Sequence, residues 1–324
     1  MRLGVVGGGA WGTALAQIGA AGGPVILWAR SAEVVAAINA DHVNPAYLPG
    51  VTLSSAIDAT SDATALSACD AWLLVTPAQH LRDVMAGLPV GDMPLILCAK
   101  GIEAESRLLM SELAAELRPD APIAVLSGPT FAHEVAVGLP TAVTLACADE
   151  ALGASLAARL ARPAFRPYRS DDVLGAEIGG AVKNVLAIAC GVVAGRGLGQ
   201  NAAAALIARG FAEMVRFGTA RGARAETLAG LSGLGDLMLT CSSTSSRNYS
   251  LGLGLGRGES VESLLAQCRT VAEGASTAPV LAEAARAIGI EMPIVEAVRD
   301  LLAGAASVDV VVECLLARPL RDEA

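Results

Sequence analysis

The spacing of apolar positions changes character about halfway along the chain. Up to about residue 170, short runs of Val, Ile and Leu recur between stretches of helical period. The runs lack strict polar alternation, which marks strands buried on both faces. They predict strands at Arg2–Gly7, Val25–Ala29, Ala71–Thr76, Leu95–Ala99, Ile123–Leu126 and Ala142–Ala146. Amphipathic helices are predicted near Thr13–Ala21, Ala32–Asn39, Leu81–Leu88, Ser106–Leu117 and Glu150–Ala161. Strands and helices in alternation imply an α/β domain with a mostly parallel sheet and crossover helices. After about Asp171 the strand-like runs nearly vanish, and Ala, Leu, Glu and Arg at helical spacing continue to the C-terminus. The reading is an α/β domain over 1–172 and an all-α domain over 173–324, the latter opened by a long helix from about Val173 to Ala194. Gly252–Gly258 reads as a glycine-rich turn.

Composition removes several function classes. The chain has 324 residues, 53% apolar and 17% charged, enough for two domains with large cores and too apolar for disorder. The mean hydropathy of +0.53 is raised by alanine. The longest plain apolar run, Val185–Gly195, falls short of the ~18–20 residues that cross a bilayer, so a soluble protein is expected. A net charge of −9 argues against duplex nucleic acid as a partner. Residues 2–7 read as a strand rather than as part of a secretory signal. The seven cysteines are scattered and never form C-x-x-C, and the three histidines lie far apart, so no metal site is expected. Reduced, mostly buried thiols in a cytoplasmic protein is the reading.

Candidate chemistry begins at Gly7-Gly8-Gly9-Ala10-Trp11-Gly12, a G-x-G-x-x-G string between a strand and a helix. Gly7 permits the tight turn, Gly9 lets backbone approach a pyrophosphate, and Gly12 lets the helix pack on the strand. The helix N-terminus then offers N–H groups and a partial positive charge to the phosphates. The second strand ends in Trp28-Ala29-Arg30-Ser31, where an NAD site usually carries a carboxylate. Arg30 could instead receive a 2′-phosphate or simply cap a surface turn. Lysine is the sharpest internal signal: of 23 basic residues, only Lys100 and Lys183 are lysine. Lysine supplies an amine with a tunable pKa, which arginine cannot. Lys100 ends the fourth run, Leu95–Ala99, at the sheet edge where ligands bind. Lys183 sits on an apolar helix, where its charge needs a partner or a ligand. Ser127-Gly128-Pro129-Thr130, Gly233-Leu234-Gly235-Asp236 and Ser245-Ser246-Arg247-Asn248 place small residues, a carboxylate, a guanidinium, an amide and hydroxyls in irregular chain. Arg247 could pair with a phosphate and Asp236 could orient a lysine, though turns or helix caps account for the same strings.

Taken in order, Gly7–Gly12, Cys98–Glu103, Ser127–Ala132, Gly180–Asn184, Gly233–Asp236, Ser246–Tyr249 and Val271–Gly274 resemble the bacterial NAD(P)-dependent glycerol-3-phosphate dehydrogenases over essentially the whole chain. The resemblance implies a Rossmann-type NAD(P)-binding domain, a helical substrate domain and an active site between them. It also implies reversible reduction of dihydroxyacetone phosphate by NAD(P)H to sn-glycerol 3-phosphate for glycerophospholipid synthesis, in a cytoplasmic enzyme that is commonly a homodimer. By position, Lys183 matches the proton acceptor. Lys100, Gly128, Thr130, Lys183, Asp236, Ser246, Arg247 and Asn248 match substrate contacts. Cofactor contacts match Ala10, Trp11, Arg30, Lys100, Ala132, Arg247, Val271 and Glu273, beside the turn glycines Gly7, Gly9 and Gly12. Ser31 stands where many relatives have a second arginine, which leaves the choice between NADH and NADPH open. The alternative reading is another two-domain hydroxyacid-type dehydrogenase acting on a sugar acid or keto acid, which would lack a use for Asp236 and the Ser246–Asn248 set.

Overall fold

The computed structural model describes residues 1–267 and 272–317. One sheet dominates the first half, built from β1 (Leu3–Val6), β2 (Val25–Trp28), β3 (Ile57–Thr60), β4 (Ala71–Leu74), β5 (Leu95–Leu97), β6 (Ile123–Ser127), β7 (Thr141–Cys147) and β8 (Phe165–Ser170). Their order is β3-β2-β1-β4-β5-β6-β7-β8. The first six run parallel, and β7 and β8 run the other way. The helices of this half are α1 (Ala10–Ala20), α2 (Ala32–Asp41), α3 (Leu81–Ala86), α4 (Met110–Leu117), α5 (Ala132–Ala136) and α6 (Glu150–Leu160). Every residue of β1 and β4 is buried, and two separate apolar clusters cover the faces of the sheet. The mostly parallel α/β architecture is as expected, with two strands more than the apolar runs predicted.

Both extra strands lie at the outer edges. β3 alternates buried and exposed positions, and β8 carries two arginines and a proline. An edge strand has one neighbour and tolerates polar side chains and proline, so it leaves no continuous apolar run to read.

The second half is helical: α7 (Val173–Gly195), α8 (Gln200–Ala220), α9 (Ala225–Leu228), α10 (Asp236–Cys241), α11 (Arg247–Gly256), α12 (Val261–Gln267), α13 (Glu273–Ala287), α14 (Pro293–Leu302) and α15 (Val308–Leu316). Helix α7 starts where the sequence predicted, held by Asp172, whose Oδ1 accepts from the Gly175 N–H at 2.9 Å. Its 23 residues have a mean hydropathy of 1.7 over the most apolar stretch, so this helix does reach bilayer length, contrary to the expectation from plain apolar runs. Its apolar surface is instead covered by α8, α10, α11, α13 and α14, and it is buried continuously from Gly175 to Val193.

Gly252–Gly258 is not a turn. Gly252, Gly254 and Gly256 lie inside α11, and only Arg257-Gly258 turns the chain, with Gly258 at φ +90°. The reason is packing: a Cβ on Gly252 would overlap the Ile188 carbonyl, and one on Gly191 of α7 would overlap the Tyr249 carbonyl. Glycine disfavours an isolated helix by about 1 kcal/mol relative to alanine. Here it permits backbone-to-backbone contact that no other residue allows.

A buried carboxylate joins the two halves. Glu177 of α7 accepts from the Ser111 N–H at 2.8 Å and from the Ser111 hydroxyl, capping the first turn of α4. Burial pushes its carboxyl up to about 7, against the lowering effect of the Ser111 hydrogen bonds. Cys69, Cys98, Cys147, Cys190 and Cys241 are free and buried, Cys314 is free and exposed, and Cys268 lies outside the described residues.

Candidate active site

Strands β1, β4, β5 and β6 are parallel, so their C-terminal ends open on one edge of the sheet. Gly7, Thr76, Lys100 and Gly128 follow those ends. At Gly7 the backbone has φ +128°, and a Cβ would press on the Val75 carbonyl at 2.9 Å. Around Gly9 a Cβ would meet no atom within 4 Å, so the backbone there faces open space. A Cβ on Gly12 would overlap the Gly7 carbonyl. The three glycines thus have the tight-turn, approach and packing geometries that a diphosphate cradle needs. Helix α1 begins at Ala10, three residues earlier than predicted, with no capping side chain and no acid in its first turn. Its N–H groups and dipole are available to an anion. Trp11 is half-buried in that turn, and Ala132 begins α5.

Arg30 is exposed just beyond β2. Ser31 caps α2, accepting from the Val34 N–H at 3.3 Å and donating to Glu33 Oε2 at 2.6 Å.

The two lysines meet on one carboxylate. Lys183 Nζ lies 2.7 Å from Asp236 Oδ1, and Lys100 Nζ lies 2.6 Å from Asp236 Oδ2. Lys100 also donates to the Gly128 carbonyl at 3.1 Å, to which the Thr130 hydroxyl donates at 3.3 Å. Lys183 reaches the Thr240 hydroxyl oxygen at 2.9 Å. Asp236 was expected in irregular chain, but it is the first residue of α10, directly after a π-helical turn, Leu231–Gly235. That wide turn sits against α7. Gly179 of α7 permits the approach, since a Cβ there would strike the Ser232 carbonyl.

Electrostatics follow from this burial. Desolvation lowers the Lys183 ammonium to about 8; Asp236 opposes the shift and the Lys100 charge adds to it. Burial alone would raise the Asp236 carboxyl, but the two ammonium groups outweigh it and hold it below its ordinary value. Two lysine side chains converge on the single Asp236 carboxylate, so basic groups outnumber the acid they share. That suits an anionic substrate.

Ser246, Arg247 and Asn248 form the start of α11 rather than irregular chain. The Ser246 hydroxyl caps it, accepting from the Tyr249 N–H at 3.3 Å, and Arg247 projects exposed from the first turn. Asn248 is buried and braced: its Nδ2 donates to Asn184 Oδ1 at 3.0 Å, and its Oδ1 accepts from the Gly274 N–H at 2.9 Å. Through that bond α11 holds the start of α13, where Glu273 stands. Glu273 accepts from the Ala78 N–H at 3.4 Å, bringing α13 to the sheet edge beyond β4. Burial raises its carboxyl, while the Arg247 charge works against the rise. Val271 lies outside the described residues.

Three contributors escaped the sequence reading. Thr240 faces Lys183 because it lies one helical turn after Asp236, a spacing visible only once α10 is known to be a helix. Asn184 follows Lys183 directly, yet its side chain pairs with Asn248 across the α7–α11 contact. Asn44, fully buried, donates to the Gly8 carbonyl at 2.9 Å from a loop with no motif of its own.

Comparison with known proteins agrees with this arrangement. Residues 2–153 match the family model described as NAD-dependent glycerol-3-phosphate dehydrogenase N-terminus, and residues 172–313 match the corresponding C-terminus. A protein of Sphingopyxis alaskensis named glycerol-3-phosphate dehydrogenase [NAD(P)+] 1 is 64% identical over 99% of this chain and 98% of its own length. One of Erythrobacter litoralis, named glycerol-3-phosphate dehydrogenase [NAD(P)+], is also 64% identical, with the same coverage. A crystal structure of the glycerol-3-phosphate dehydrogenase of Coxiella burnetii superposes with a TM-score of 0.93 at 37% identity, covering 98% of this chain and 99% of that one. With both halves matched and the relatives aligned almost end to end, the chain belongs to the NAD-dependent glycerol-3-phosphate dehydrogenase family.

Proposed function

We propose that the chain catalyses reversible hydride transfer between NAD(P)H and dihydroxyacetone phosphate, giving sn-glycerol 3-phosphate for glycerophospholipid synthesis. The observation that carries this reading is the buried Lys183–Asp236–Lys100 cluster at the sheet edge shared with the glycine turn. The glycine turn and the bare start of α1 fit a dinucleotide diphosphate, with Ala10, Trp11, Arg30, Ala132, Val271 and Glu273 as further cofactor contacts. The nicotinamide, when bound, supplies or accepts the hydride.

The chain's own residues manage the proton and the phosphate. Lys183, at about 8, can donate from its ammonium in reduction and accept as an amine in oxidation near neutrality. Asp236 holds Lys183 and Lys100 in position and keeps Lys183 from losing its proton too readily. Lys100 adds positive charge and, with Gly128 and Thr130, lines the substrate side. Arg247 meets the substrate phosphate by charge-assisted hydrogen bonds, and Ser246 and Asn248 set the start of α11 that presents it.

In this reading residues 1–172 form the NAD(P)-binding domain and 173–324 the substrate domain, in a cytoplasmic homodimer. The substrate is a small phosphorylated compound, which the excess of basic groups in the cluster supports.

The test is steady-state oxidation of NADH and then NADPH, with dihydroxyacetone phosphate as the sole carbonyl. Saturable turnover is expected, and the ratio of the two kcat/KM values reports what Arg30 and Ser31 do. Turnover on keto acids but not on the triose phosphate would overturn the assignment in favour of a hydroxyacid-type enzyme.

A further inference from the structure

Asn44 lies in the loop after α2 and is fully buried. Its Nδ2 donates to two acceptors of the glycine turn: the Gly8 carbonyl at 2.9 Å and the Thr13 hydroxyl oxygen at 2.8 Å. The loop is itself folded onto this residue, since the Leu48 N–H donates to the Asn44 carbonyl at 2.8 Å. His42 turns the chain back toward β1 in a left-handed conformation, φ +53°, at the end of α2. Asn44 is thus delivered to the glycine turn from a separate element.

Which way the Gly8 carbonyl points has a consequence one bond further on. In a trans peptide the C=O of one residue and the N–H of the next point in opposite directions. With the Gly8 carbonyl drawn to Asn44, the Gly9 N–H is directed away from Asn44, and open space adjoins this peptide, since a Cβ at Gly9 would meet nothing within 4 Å. A glycine peptide can otherwise rotate at little steric cost, because neither residue has a Cβ to resist it.

We infer that Asn44 is a positioning residue for cofactor binding: it locks the Gly8–Gly9 peptide so that the Gly9 N–H faces the dinucleotide diphosphate. The inference rests on the dehydrogenase reading above. It assigns to Asn44 no contact with substrate or cofactor, so its loss weakens diphosphate binding and leaves the chemistry at Lys183 alone.

The test measures NADH binding to the full chain by tryptophan-to-nicotinamide energy transfer, with ADP and adenosine as competitors. For Asn44→Leu, close in size but without a donor, the NADH Kd and the ADP inhibition constant rise roughly tenfold, the worth of one well-placed hydrogen bond. The inhibition constant for adenosine, which lacks the diphosphate, stays within twofold, as do kcat and the KM for dihydroxyacetone phosphate. Thr13→Val removes the Asn44-to-hydroxyl bond and the long 3.5 Å bond from the Thr13 hydroxyl to the Gly8 carbonyl, but leaves the 2.9 Å bond from Asn44 to that carbonyl, so its NADH Kd rises by no more than about threefold. Should Asn44→Leu fail to fold, Asn44→Ser, whose hydroxyl is too short to reach Gly8, carries the same expected tenfold loss. A folded Asn44 variant with wild-type NADH affinity overturns the inference. So does an equal loss in Thr13→Val, or a parallel loss for adenosine. Wild-type protein that binds no NADH would instead overturn the dehydrogenase reading itself.

Discussion

Replacing Asp236 by Asn tests the electrostatics of the lysine cluster while preserving side-chain shape. Lys183 stands at about 8 because burial lowers it and the Lys100 charge lowers it further, with Asp236 the opposing influence. A carboxylate in contact with a cation shifts its pKa by about 1–3 units, so losing two of them takes Lys183 to roughly 6. At pH 7.5 the ammonium fraction then drops from about 0.75 to about 0.03, some 25-fold, by the same shift. The assay is the pH dependence of kcat/KM for reduction of dihydroxyacetone phosphate, from pH 5.5 to 9.5. Reduction needs the ammonium, so wild-type activity declines as pH rises through about 8. In Asp236→Asn that decline moves down to roughly pH 6. Oxidation needs the amine and shows the mirror image, rising through the same pH. Lys100 also loses its partner, which raises the substrate KM. A wild-type profile flat between pH 7 and 9, or a decline still centred near 8 in the Asn variant, would refute the assignment of Lys183 as the proton donor.

Lys183→Met is expected to cut kcat by at least about 100-fold while the NADH Kd stays within twofold, checked by steady-state rates and a binding titration. Glu177 gives a stability prediction with a definite sign. Its carboxyl is raised in the folded chain from 4.5 to about 7, so its share of stability is complete below about pH 4.5 and is lost as pH rises through 7. The full loss is about 3 kcal/mol. Glu177→Gln should therefore gain stability over wild type at pH 8 relative to pH 5 in urea melts, and parallel curves would contradict the linkage. Gly252→Ala sets two effects of opposite sign against each other. Helix propensity favours alanine by about 1 kcal/mol, while the overlap with the Ile188 carbonyl predicts a net loss of about 1–3 kcal/mol, read as a fall in Tm.

The parallel core of the sheet was legible because strands buried on both faces must be apolar at every position, as β1 and β4 are. Edge strands β3 and β8 face water on one side, and their sequence carries no such constraint. The glycine turn was legible because each glycine answers a local steric demand. The same residue misled in α11, where Gly252 and Gly256 serve a contact with a helix more than fifty residues away in sequence.

The candidate site divides along the same line. The sequence by itself determined which side chains carry unusual chemistry: two lysines among 23 basic residues, one of them on an apolar helix, and the ordered strings that ally the chain with its family. Only tertiary structure decided that both lysines share Asp236, that Ser246 and Asn248 brace a helix start, and that Asn44 holds the glycine turn. Periodicity and steric demand act over a few residues and can be read locally. The partner of a buried polar group is whichever group packing brings within about 3 Å, and that is a property of the folded chain alone.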